Sequence, residues 1–183
     1  MSEHVNKVLP AVYESQRDNV FDGSVTCAVT TLSMLIQSKG MKDGETREAK
    51  HLEDEILTDL KAKYPASHKT LREDFNFLAK YTQQKYGIAL KYAAYNKNDW
   101  IAKALNDKAP FMTSTSNALT SFGHICLVRG IRTLPEVAIC FNDPFGQAPY
   151  GVKKSGEAVW YPASKFPFDE GGAVKKYHTL SYA

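Results

Sequence analysis

A chain of 183 residues with 43% apolar and 23% charged side chains is long enough for one domain with a sizeable core and too short for two comfortable ones. Its formal charge of +3 is small and spread along the chain, which argues against a nucleic-acid partner and suits an anionic one such as a bacterial cell wall. Three cysteines, Cys27, Cys126 and Cys140, are odd in number and lack metal-ligand spacing, so neither a disulfide framework nor a metal site is expected.

The start, "MSEHVNKVLPAVYESQ", has neither the basic opening nor the continuous apolar stretch of a secretory signal, and no apolar run reaches membrane-spanning length. Synthesis as a cytoplasmic protein without a transmembrane segment is expected, with about the first 12 residues frayed. From Cys27 to Lys39, Val29, Leu32, Leu35 and Ile36 follow helical spacing, Thr26 is placed to cap the start and Gly40 to end it. Residues 41–64 are charged, with Leu52, Ile56 and Leu60 every four residues, the pattern of a surface helix; 41–66 carries no motif and reads as an insertion that shapes substrate access. "TLREDFNFLAKYTQQKYG" opens with Thr70 and Glu73 in capping-box register and closes at Gly87, which predicts a helix over 70–86.

A strand, "IALKYAAY", and a helix capped by Asn98 follow. Beyond them "APFMTSTS", "GHICLVRGI", "EVAICFND", "VKKSGEAVWYP" and "KYHTLSYA" are short, rich in β-branched and aromatic residues, and separated by turn residues. A helical lobe followed by an antiparallel sheet is an α+β architecture in a single domain, residues 1–183.

Cys27 is the residue with the clearest chemistry. A thiol in the first turn of a helix faces unpaired backbone N–H groups and the positive end of the helix dipole, which favour thiolate. Peptide cleavage also needs a proton for the departing amine, and so a histidine within reach. His4, His51 and His68 lie in segments expected at the surface, and His178 in the last strand is a packed or edge residue. His124 differs, because Gly123 before it permits close backbone approach and the apolar "ICLVRG" after it reads as a central strand. If the next strand returns antiparallel, Asn142 and Asp143 come back beside His124. Asp143 is the expected acceptor for the imidazole, with Asn142 its nearest rival. Gln16, eleven residues before Cys27, is the candidate side-chain donor to an oxyanion, alongside the Cys27 backbone N–H. Cys126 and Cys140 sit in apolar strand contexts and read as buried thiols, Cys126 sharing a face with His124.

The order Gln16, Cys27, His124, Asp143 resembles the papain-like cysteine peptidases, and most closely the bacteriocin-processing, double-glycine leader peptidase branch. The resemblance rests on "QRDN" at Gln16–Asn19, "CAVTTLSM" at Cys27–Met34, "GHICLVRG" at Gly123–Gly130 and "FNDPFG" at Phe141–Gly146, and runs from about residue 13 to about residue 165. It departs from the family pattern at Ala28 and Val29, which stand for the common Gly-Pro, and at Thr31, which stands for Ser. It implies a papain-like α+β fold and no cofactor. It also implies a site in which Cys27 is nucleophile, His124 base and acid, Asp143 orienter and Gln16 oxyanion donor. The expected substrate is a peptide, preferably a peptidoglycan cross-link cut by a lysin or wall-directed effector delivered by lysis, a holin or a secretion machine. The alternatives are a non-catalytic peptide- or wall-binding module of the same fold, and an acyltransferase of transglutaminase-like type.

Overall fold

The computed structural model describes residues 4–21, 23–121, 123–147, 154–167, 169–170 and 173–183. Its organisation follows from one helix. In α1 (Cys27–Gln37) every residue from Ala28 to Ile36 is buried, Thr30, Thr31 and Ser33 included, so the helix is enclosed on all sides. On one side it meets α2 (Leu52–Lys63), whose Ile56, Leu57 and Leu60 point inward while its charged residues mostly face out. On another it meets the sheet through Met112, Leu127 and Leu180.

Two further helices follow α2. The short α3 (His68–Leu71) precedes α4 (Phe75–Tyr86), which ends at Gly87 in the left-handed conformation, φ +67°, as the sequence predicts. Its start differs from the prediction. Thr70 falls in α3, and the cap is Asp74, whose carboxylate accepts from the backbone N–H groups of Asn76 and Phe77. The same shift affects α5 (Lys97–Asn106), capped by Asn96 accepting from Asp99 N–H, with the predicted cap Asn98 inside the first turn.

The strands are β1 (Asn6–Val8), β2 (Leu90–Tyr95), β3 (Phe111–Ser114), β4 (Ile125–Arg132), β5 (Ala138–Asn142), β6 (Val159–Pro162), β7 (Asp169–Glu170), β8 (Ala173–Val174) and β9 (Tyr177–Tyr182). The main sheet is antiparallel in the order β2-β9-β3-β4-β5-β6, and β7 pairs with β8 apart from it. β1 lies on β4 in register Asn6↔Arg132 to Val8↔Gly130, so these N-terminal residues, expected to fray, are tied into the sheet. Gly130 allows this approach, since a Cβ there would fall on the Lys7 carbonyl oxygen.

The opposite face of the sheet carries a second core around Trp100, which stacks on Tyr177 at 4.7 Å between centroids and donates its indole N–H to Thr113 Oγ1 at 3.1 Å. The fold is thus α+β, with α1, α2 and α4 on one face and α5 on the other. Among the described residues no helix is long and apolar enough to cross a membrane.

Candidate active site

The start of α1, the entrance of β4 and the end of β5 converge on one cleft of about 970 Å³ that Gln16, Cys27 and His124 line together with Phe145. α1 sits against β4 through buried apolar side chains and through Thr31 Oγ1, which donates to the Ile125 carbonyl at 3.0 Å. Cys27 is the partly exposed residue at the head of an otherwise buried helix. Thr26 does not cap that helix with its own hydroxyl. The Asn19 amide, with its nitrogen turned toward acceptors, takes the Thr26 and Thr30 hydroxyls at 2.7 and 3.0 Å and donates to Glu53 Oε1 at 3.1 Å and the Ser15 carbonyl at 3.3 Å. The QRDN segment is thereby fastened to the first turn that presents the thiol.

His124 directly precedes β4. Its carbonyl accepts from Thr115 N–H at 2.7 Å, and Gly123 before it adopts φ +81°, a conformation that favours glycine. The ring is 5% exposed, and its Nε2 lies 2.6 Å from Asp143 Oδ1. With Nε2 engaged, Nδ1 is the nitrogen left free, and the thiols of Cys126 and Cys27 lie near enough to bear on the protonation of the ring. Burial opposes an imidazolium here; Cys126, the bond to Asp143 and the contact with Cys27 favour it and prevail, so His124 protonates well above its ordinary value. Burial pushes the Cys126 thiol itself up to about 12, which leaves it neutral at neutral pH.

Asp143 is held from several directions. Its Oδ1 also accepts from Phe145 N–H at 3.0 Å, and Oδ2 accepts from the Tyr161 hydroxyl at 3.1 Å. Asn142, the rival from sequence, points elsewhere: its Nδ2 donates to the Val12 carbonyl at 2.9 Å and its Oδ1 accepts from Arg129 and Ala158 N–H. Consecutive residues at a strand end face opposite ways, and only one of the pair reaches the imidazole. Gln16 is joined to this corner by its backbone N–H, which donates to the Pro144 carbonyl at 2.8 Å. Its Nε2 donates to the Gly23 carbonyl at 2.7 Å, which fixes the amide and leaves that nitrogen a second hydrogen.

The structure therefore brings Gln16, Cys27, His124 and Asp143 to one place. A model of the Peptidase_C39 like family matches residues 8–166. The chain belongs to the Peptidase_C39 like family. As a member of that family it is a cysteine peptidase of papain-like fold, as its motifs imply. It is similar in fold to a putative C39-like peptidase from Bacillus anthracis, with a TM-score of 0.58 at 11% identity over 98% of each chain. It is also similar to UfSP from C. elegans, with a TM-score of 0.55 at 15% identity over 99% of this chain; it spans 35% of the length of that protein. No curated relative matches the chain.

Several residues that shape the site of this C39-like peptidase carry no signal in the sequence. Tyr161 reaches Asp143 from β6, and Tyr13 accepts Gly156 N–H at 3.1 Å, while Asp143 N–H donates to the Gly156 carbonyl at 2.8 Å. A Cβ on Gly156 would fall on the Asp143 carbonyl oxygen, and one on Gly23 would fall on that of Gln16. Gly156→Ala is expected to displace Asp143, costing about 1–3 kcal/mol of stability, the range for overpacking. Urea denaturation and peptidase rate measured together check this, both falling. No residue of the 41–66 segment is among the described residues that line the cleft. His178, in an interior strand of the sheet, is exposed and stacks on Tyr92 at 5.9 Å in that lining.

Proposed function

We propose that this peptidase cleaves peptide bonds through Cys27, His124 and Asp143, with Gln16 and the Cys27 backbone N–H holding the oxyanion, and that its substrate is a peptide cross-link of bacterial peptidoglycan. The observation that carries the catalytic reading is the buried 2.6 Å contact between His124 and Asp143, with His124 and Cys27 lining the same open cleft. Cys27 sulfur attacks the carbonyl carbon, and the carbonyl electrons move to an oxyanion. His124 gives its proton to the amine nitrogen as the C–N bond breaks, leaving a thioester. Water, deprotonated by His124, then attacks the thioester, and the sulfur departs to regenerate the thiolate–imidazolium pair and release a carboxylic acid. Asp143 keeps the ring in orientation and stabilises its charge throughout.

The net charge of +3 suits an anionic polymer as partner. Glu73 and Asp74 line the cleft, as do Tyr92 and His178, a combination that fits the amine-bearing side chain of a stem peptide. Gln16→Ala is expected to lower kcat by about 10²–10³ with little change in KM, the effect of removing one oxyanion donor; steady-state kinetics on a peptide substrate checks it. The substrate is tested by incubating purified sacculi with the wild-type protein and with Cys27→Ala, followed by mass analysis. New fragments with matched free amine and carboxyl ends from the wild type alone are expected; identical patterns from both proteins contradict the peptidoglycan reading.

A further inference from the structure

The QRDN segment carries a second cluster of reactive groups that the proposed mechanism does not use. Asp18, His51 and Glu53 each place a ligand atom within 4.8 Å of the other two, and none of them lines the catalytic cleft. Glu53 is completely buried at the start of α2, and Glu14, 2% exposed, packs beside it. The hydrogen-bond donors of the cluster are spent on one oxygen of each carboxylate. Glu14 Oε1 accepts from Gln37 Nε2 at 2.6 Å and from His51 N–H at 3.1 Å. Glu53 Oε1 lies 3.0 Å from His51 Nδ1 and accepts from Asn19. Apart from the contact between the two carboxyl groups themselves, Glu14 Oε2 and Glu53 Oε2 are buried with no hydrogen-bond partner.

Two neighbouring carboxyl groups, each with an oxygen shut away from water and left with at most the other carboxyl for a partner, call for a positive charge between or beside them, a proton or a metal ion, since a buried charge persists when it is paired or bound to a metal. We propose that Asp18, His51 and Glu53, with Glu14 packed behind them, bind a first-row divalent cation such as Mn²⁺. Carboxylate oxygens with one imidazole form a donor set for such ions, and the absence of a thiol from the group sets it apart from the cluster of His124, Cys126 and Asp143. Asp18 and His51 are exposed, so the ion has an open approach, while Glu53 supplies a fixed buried anchor. Bound there, the ion ties the QRDN loop to α2. Asp18 is two residues from Gln16 and adjacent to Asn19, which holds the Thr26 and Thr30 hydroxyls at the head of α1. The cation thus stabilises the loop that frames the thiol without touching the reacting atoms.

The test is an electron paramagnetic resonance titration of the full chain with Mn²⁺ after stripping with a chelator. One saturable Mn²⁺ per chain is expected, unchanged in Cys27→Ala, and weakened at least about tenfold in Asp18→Asn and in His51→Gln, the lower bound even for outer-shell partners of a metal. Both substitutions lie at exposed positions, and circular dichroism verifies that each variant is folded. Mn²⁺ is also expected to raise the melting temperature of the wild type and not of Asp18→Asn. No saturable binding to the wild type, or binding of equal strength in the folded Asp18→Asn and His51→Gln variants, overturns the proposal.

Discussion

Cys27→Ala is expected to abolish peptide hydrolysis and to leave the fold intact. Where a nucleophile and its base act as one unit, removing either costs on the order of 10⁶ in kcat, and removing both costs little more. Cys27→Ala, His124→Ala and the double variant should therefore fall to the same residual rate in steady-state assays. The structural cost is small, because Cys27 is the partly exposed head of α1 and the residues that anchor this helix, from Ala28 to Ile36, are untouched. A melting curve within about 1 kcal/mol of wild type is expected, in keeping with substitutions outside the packed core. A binding module of the same fold would lose neither ligand binding nor biological effect on this substitution, and an acyltransferase would lose activity but show an amide product in the wild type.

Asp143→Asn is expected to lower kcat by on the order of 10²–10⁴ and to change how activity and stability depend on pH. The amide keeps the shape of the carboxylate but presents a dipole where His124 Nε2 now meets a charge at 2.6 Å. In the wild type His124 is raised well above its ordinary value despite its burial. A group raised in this way stabilises the fold fully below its unfolded value of about 6.5, and that contribution is lost as pH rises through the elevated folded value. Wild type should therefore exceed Asp143→Asn in stability by most near pH 6, and the gap should narrow as the solution becomes alkaline. For activity, burial with less to oppose it drives the imidazole in the variant toward its neutral form, so the alkaline limb of kcat/KM moves to lower pH. Urea melts and pH–rate profiles of the two proteins test both statements.

Both effects depend on contacts of different legibility in the sequence. The helix at Cys27 and the antiparallel return that carries Asp143 back to His124 are written in local patterns: apolar residues at helical spacing, and two β-rich segments separated by a turn. Caps were less legible, because several polar residues compete at each helix start. Thr70 with Glu73 has the spacing of a capping box, yet Asp74 is the residue whose carboxylate meets free N–H groups, and Asn96 displaces Asn98 in the same way. Thr26 has the right chemistry for a cap but its hydroxyl is taken by Asn19. The choice between Asn142 and Asp143 cannot be made from composition; it is decided by which face of the strand end each side chain occupies. The supports of the site were silent for another reason. Tyr161 and Gly156 meet Asp143, and Glu14 meets His51 and Glu53, only because the chain folds back across many residues, and no local pattern encodes such encounters. β1, three residues long, is too short to show a period.

The central claim is that Cys27 is the reactive thiol of a unit completed by His124 and Asp143. Iodoacetamide labelling at mildly acidic pH, mapped by mass spectrometry over time, tests it most directly. Cys126 and Cys140 are buried, and their thiols are pushed up to about 12 and about 11. The account expects Cys27 to be alkylated first, with activity lost in step, and expects that labelling to slow markedly in His124→Ala. Labelling of all three cysteines at one slow rate, or of Cys27 at a rate indifferent to His124, would contradict it.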